Sequence, residues 1–234
     1  MLRALMVEPL KLRRTPTLLL AVGVPLLIGV MGFLALRLGH VADAARLERL
    51  SQLMLGLWVA TALPLGTAIL GAQVVALEDG HLKHVLTQPV SRASVYLSKL
   101  AALLALLALG TAVLVGAYAL VAGLAGILDG AALKQFARSA GWAGLGALPM
   151  AALAIGLSWR FRWPITIGSA LVGSAGAAYA LSNAVAWKFL PWSYPLALGS
   201  GAPTLHTPAL LLTAVTFVGF TALGLLAFRT QEPR

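Results

Sequence analysis

The chain has 234 residues, 60% of them hydrophobic and 10% charged, with a mean hydropathy of +0.91, which excludes an ordinary soluble domain, where about a quarter of residues are charged. The formal net charge is +10, but the basic residues flank apolar stretches and form no single patch, which argues against nucleic acid as a partner. With no cysteine, disulfides and thiolate metal sites are ruled out.

At the N-terminus, Leu2, Leu5, Met6 and Leu10 share one helical face, with Arg3, Lys11 and Arg14 on another. That pattern predicts an interfacial helix over residues 1–15 lying at the lipid–water boundary, bent or restarted at Pro9. Thr15 and Pro16 then supply an N-cap and a first-turn proline. A basic start, an apolar run and Ala42-Asp43-Ala44 imitate a cleaved signal peptide. The apolar run is too long for a signal core of about 7–15 residues, so it reads as a spanning helix.

Stretches free of Asp, Glu, Lys and Arg cover residues 15–36, 50–77, 100–128, 139–159, 163–187 and 189–228. Each holds the ~20 apolar residues that cross a ~30 Å hydrocarbon core. The expected fold is therefore all-α and polytopic, a single transmembrane domain over residues 1–234 with six membrane-spanning helices. The stretches lack the alternation of a β-barrel. Span two contains Pro64 and span four contains Pro149. Span three carries Ala108, Ala112 and Gly116, and span five Ser169, Gly173 and Ala177, small stripes expected to let helices approach closely. Between spans five and six, residues 183–207 bring Trp187, Phe189, Trp192 and Tyr194 close to prolines. Short helices re-entering the outer leaflet are expected there, with aromatics at headgroup level.

With both termini cytoplasmic, eleven Lys and Arg fall inside and six outside, the favoured orientation. The location this implies is a cell membrane, either plasma or bacterial inner. The centres of the spans hold no ionisable residue to serve as a proton relay or cofactor ligand. His40, His81, His84 and His206 all fall in or beside connections, and His81 with His84 lacks a third ligand beyond Glu78 or Asp79 for zinc. No GxxxxGK[ST] phosphate loop is present. Free energy for uphill transport would have to come from a separate subunit.

Residues 78–92 form the charged cytoplasmic segment between spans two and three. Gly80 suits a helix stop, and Leu82, Val85 and Leu86 make a short apolar stripe flanked by His81, Lys83 and His84. Gln88-Pro89 ends that turn, and Ser91-Arg92 leads into span three, with Lys99 still near the interface. A free two-turn helix is unstable in water, so this stripe calls for a partner groove; a plain polar connector is the alternative.

Glu8-Pro9-Leu10-Lys11-Leu12-Arg13-Arg14 is similar to an E-x-x-K-x-R-R motif ahead of the first helix of the ABC transporter type-2 permeases. Glu78 to Gly80, Leu86-Thr87-Gln88-Pro89-Val90-Ser91-Arg92 and Lys99 are similar to that family's E…G…LL-x-x-P-V-S-R…K pattern. The chain thus resembles this family along its whole length, departing where His81 follows Gly80 in place of a hydroxyl residue. The resemblance implies a non-catalytic permease subunit of an ATP-driven exporter. In it, residues 78–92 would be the coupling helix, with Glu78, Gly80, Leu82, Val85, Leu86, Pro89 and Arg92 meeting the ATPase. Glu8, Lys11, Arg13 and Arg14 would belong to the interfacial helix. The chain itself would bind no cofactor; ATP and Mg would sit on two copies of an ATP-binding subunit, and a second permease chain would complete a homodimer or heterodimer. Cargo in such systems includes peptide antibiotics, drugs, lipids and ions. Two other readings remain open on the residues alone. One is a passive membrane scaffold or assembly factor; the other is an intramembrane hydrolase using Ser200, between Gly199 and Gly201, with His206.

Overall fold

The computed structural model describes residues 15–39, 43–77, 91–161, 163–183 and 185–229, except for the side chains of residues 43, 44, 178 and 181. Everything regular among the described residues is helical. Helix α1 (Pro16–Leu38) is followed by α2 (Asp43–Leu57), a π-helical turn (Trp58–Ala62) and α3 (Leu63–Ala76). Then come α4 (Arg92–Leu124), α5 (Gly130–Gly146), α6 (Leu148–Arg160) and α7 (Trp163–Leu181). Two 3₁₀ turns (Ala186–Phe189 and Pro191–Ser193) and the short α8 (Tyr194–Gly199) lead to α9 (Pro203–Arg229).

Five helical stretches are long and apolar enough to cross a membrane: Pro16–Leu38, Ala45–Ala76, Arg92–Leu124, Gly130–Arg160 and Pro203–Arg229. Helix α7, with 19 residues, is not among them. The 33 residues of α4 rise about 50 Å, well beyond the ~30 Å hydrocarbon core, so its ends stand outside.

Proline explains both interruptions. Pro64 has no N–H to donate and its ring crowds the preceding turn; the ladder widens there, and Leu63 N–H reaches Trp58 O five residues back. Pro149 sits in the first turn of α6, where a missing donor costs nothing, just after α5 gives way at Ala147. At the head of α1, Thr15 holds the N-cap position and Pro16 the first helical one, although the Thr15 side chain does not bond the first-turn amides. Helix α4 stops with Gly126 at φ +69°, Ile127 N–H bonding Ala122 O and Gly126 N–H bonding Gly123 O, a Schellman stop. Asp129 then caps α5 by accepting Ala132 N–H at 3.0 Å.

In hydrocarbon, helices associate through close packing, so small residues matter at the crossings. A Cβ on Gly29 of α1 would stand 3.0 Å from Ala117 Cβ of α4, and one on Gly71 of α3 would stand 3.0 Å from Ala154 Cβ of α6. Gly156 of α6 faces the Gly224 backbone of α9. The stripe expected on span three does not serve this purpose: Ala108, Ala112 and Gly116 are all exposed, and Gly116 has open space around it. The helix is buried on the opposite side, through Gly110, Leu114 and Ala117, because α1, α3 and the π-turn all lie there. On α7, Gly173 does mark a close approach, but to the Trp192 ring from the connection that follows α7.

At the α2–α4–α5 end, Tyr118 stacks on Phe136 at 4.0 Å and shares a 2.9 Å hydrogen bond with Ser51. The connection after α7 is made of short helices, as expected, but its aromatics divide. Trp187 and Tyr194 are buried with Leu198 and Ala209 in a small second core, and Phe189 is exposed. Burying those rings puts backbone polar groups out of reach of water, and local side chains satisfy them. Ser193 Oγ donates to the carbonyls of Trp187 and Leu190, Tyr194 Oη donates to Lys188 O, and Asn183 Oδ1 accepts from Val185 and Ala186 N–H. Burial pushes the Tyr194 phenol up, opposed by its hydrogen bond with Thr216.

Candidate functional site

The end of the bundle where α3 finishes and α4 begins is the candidate site. Of the residues assigned to it from sequence, Glu78, Gly80, Leu82, Val85, Leu86 and Pro89 lie outside the described residues, as do Glu8, Lys11, Arg13 and Arg14. Arg92 is described, and it is the first residue of α4. Ser91 precedes it as the N-cap, accepting Ser94 N–H at 3.2 Å, and Leu77 caps α3 by bonding Gln73 O. The two caps fix where the chain leaves and rejoins the bundle around residues 78–90.

Arg92 reaches across to another helix. Its Nη1 donates to Arg229 O, the last residue of α9, at 2.8 Å. That carbonyl is one of the four left without an intrahelical partner at a helix C-terminus, where the dipole also favours a cation. The contact ties the start of α4 to the end of α9 by a charge-assisted bond. One turn deeper, Tyr96 is fully buried and donates to Ala152 O of α6 at 3.3 Å. Its hydroxyl lies against Gly224 of α9, where any side chain would collide with it. Phe228 completes the junction, with its ring 6.4 Å from Tyr96 and 4.5 Å from Trp159. Motion of α4 at Arg92 therefore meets α6 and α9 through packed, hydrogen-bonded groups.

Lys99, two helical turns after Arg92, is 1% exposed on the buried side of α4. Buried charge is costly unless satisfied, which makes this position structurally demanding. Sequence reasoning missed Tyr96, Trp159, Gly224 and Phe228. Their sole signal is register: Tyr96 lies one helical turn after Arg92, and Gly224 one turn before Phe228.

Polar groups within the spans divide into packing and lining roles. Thr67 Oγ1 donates to Leu63 O at 2.6 Å and is buried, so it packs. Gln73 Oε1 is buried without a hydrogen-bond partner near the end of α3. Thr61 lines a cavity of about 330 Å³ between α1, the π-turn, α3 and α4, whose other walls include Pro25, Trp58, Gly66 and Gly110. Ser200 and His206 form no dyad: Ser200 Oγ donates to Ala197 O and accepts Ala202 N–H, and the His206 ring stands edge-on to Trp142 at 4.4 Å. No cluster of metal-ligating side chains occurs among the described residues; His81 and His84 lie outside them.

These features define a multi-pass helical membrane protein whose helices are cross-braced at the end that carries the charged connection. The chain belongs to the ABC-2 family of transporters: residues 4–175 match the family described as ABC-2 family transporter protein. It is accordingly the membrane permease component of an ABC transporter, a type of subunit that works with an ATP-binding partner. A comparison with curated proteins gave no match. The family match takes in both sequence motifs and ends within α7.

Proposed function

We propose that this permease is the transmembrane subunit of an exporter, working as a pair of permease chains on two copies of a separate ATP-binding subunit that holds ATP and Mg. The observation that carries the reading is the family match over residues 4–175, which contains both motif segments. The composition of the spans agrees with it, since their uncharged stretches offer no carboxylate to couple a proton or sodium gradient. Residues 78–92 are the coupling segment, with Leu82, Val85 and Leu86 seated on the ATPase and Arg92 passing its motion to α4 and α9. Glu8, Lys11, Arg13 and Arg14 belong to an interfacial segment over residues 1–15. Both termini face the cytoplasm, α7 is the fifth of six spans, and the connection after it re-enters the outer leaflet. Walls without fixed charge suit an amphiphilic peptide, drug or lipid better than a bare ion.

The test replaces Leu82 and Leu86 together with Asp. The variant is expected to insert in the membrane at normal levels while the ATP-binding subunit no longer co-purifies with it. Undiminished co-purification and nucleotide hydrolysis would remove the docking role from residues 78–92.

A further inference from the structure

At the far end of the bundle from Arg92, α5 and the start of α9 enclose a crevice of about 350 Å³. Five polar side chains line it: Gln135, Arg138, Ser139, His206 and Thr207. Trp142 forms the floor beside His206, edge-on at 4.4 Å. The set contains a fixed cation, an imidazole, an amide and two hydroxyls, and no carboxylate. Gly201 and Pro203 complete the wall at the N-terminus of α9, a helix of 27 residues with no acidic side chain in its first turn.

None of the five polar side chains makes a hydrogen bond or ion pair with any described residue. Several hydroxyls elsewhere in its helices bond back to the preceding turn, among them Ser51 to Leu47 O, Thr67 to Leu63 O, Thr111 to Leu107 O and Thr216 to Leu212 O, whereas those of Ser94, Thr213 and Thr221 are buried without a partner. Ser139 lies in the middle of α5, is only 8% exposed, and leaves its hydroxyl unused. The Ser139 hydroxyl lines the crevice beside a cation and a helix N-terminus, where an external acceptor can take its hydrogen bond. Helix N-termini and guanidinium groups both favour phosphate-type oxyanions.

We propose that this crevice binds a phosphate group, with Arg138 supplying charge, Ser139 and Thr207 donating from its two walls, and the N-terminus of α9 adding its positive dipole end. The same chemistry is offered by inorganic phosphate and by the headgroup of an anionic lipid. The site is independent of the coupling reading, because binding is measured on the permease without its ATPase.

The full chain is purified in a neutral detergent and titrated by calorimetry with inorganic phosphate and, separately, with a short-chain phosphatidylglycerol. Saturable binding of inorganic phosphate identifies a free anion as sufficient; binding of the lipid alone identifies a headgroup. In either case Arg138→Gln is expected to weaken binding at least tenfold and Ser139→Ala at least threefold. Lys134→Gln, an exposed cation on the same helix that does not line the crevice, should leave it unchanged. Absence of binding by both probes overturns the proposal. So does an equal loss from Lys134→Gln and Arg138→Gln, which would reduce the effect to overall charge.

Discussion

A Cβ added to Gly146, the last residue of α5, would lie 2.7 Å from Pro195 N and 2.8 Å from Tyr194 C. Both are backbone atoms, which cannot swing aside, so Gly146→Ala forces α5 and α8 apart. Overpacking of this kind costs about 1–3 kcal/mol, and the upper end is expected where backbone meets backbone. Gly116→Ala supplies the comparison: its Cβ meets nothing, so it should be neutral or stabilising by up to about 1 kcal/mol. Thermal unfolding of both variants in detergent checks the pair, and equal midpoints would refute the packing argument. Arg92→Gln removes the cation at the end of α9; a loss of about 1 kcal/mol or less is expected for a half-exposed contact of this type. Its larger effect should be on coupling, read as reduced transport with the ATPase still bound. Arg92 was legible in the sequence because it sits in a dense local motif. Gly146 was not, because the atoms that require it come from residues 194 and 195, far along the chain.

Elements were legible to the extent that hydrophobicity alone determines them. Uncharged stretches located the long helices, since each must exclude charge over the membrane thickness. They could not say which side of a helix is buried: where every face is apolar, periodicity carries no signal, and the exposed stripe of Ala108, Ala112 and Gly116 could not be told from the buried side of the helix. Nor could they reveal that Trp187 and Tyr194 fold inward, because an aromatic between prolines suits a lipid interface and a small core equally. The π-turn was marked by Pro64 but not specified by it. In a π-turn one extra residue is accommodated within an otherwise α-helical rod, which supports an unusual prediction. Deleting exposed Ala60 should convert Trp58–Ala62 to α-helix while preserving the facing of Met54 and Leu63 on either side. The same deletion at exposed Ala105 in α4 rotates all that follows by about a third of a turn and should prevent accumulation of folded protein. Comparable loss of monodisperse protein from both deletions would count against a removable π-residue. Pro64 and Met150 line one small void, so the interruptions of two adjacent rods lie side by side. That is where relative movement of the α2–α3 and α5–α6 rods meets least resistance from regular hydrogen bonding.

At the scale of the whole molecule, burial is uneven. Within the chain, 56% of the apolar stretch in the α5–α6 rod is buried, against 17% of that in α9 and 28% of that in α1. Helices α1 and α9 thus present broad exposed apolar faces, while α3, α4 and α6 form the centre. Orientation decides whether the Arg92–Tyr96–Phe228 junction can receive force from a cytoplasmic ATPase, and the absence of native cysteine allows a direct measurement. Phe161 is 47% exposed just beyond α6, at the same end as the Trp159–Phe228 contact; Thr204 is exposed at the opposite end, in the first turn of α9. Phe161→Cys should react with a membrane-impermeant maleimide only after cells are permeabilised, and Thr204→Cys should react in intact cells. The reverse pattern would place residues 78–92 outside, beyond the reach of any ATP-hydrolysing partner, and the mechanical link through Arg92 to α9 would then have nothing to drive it.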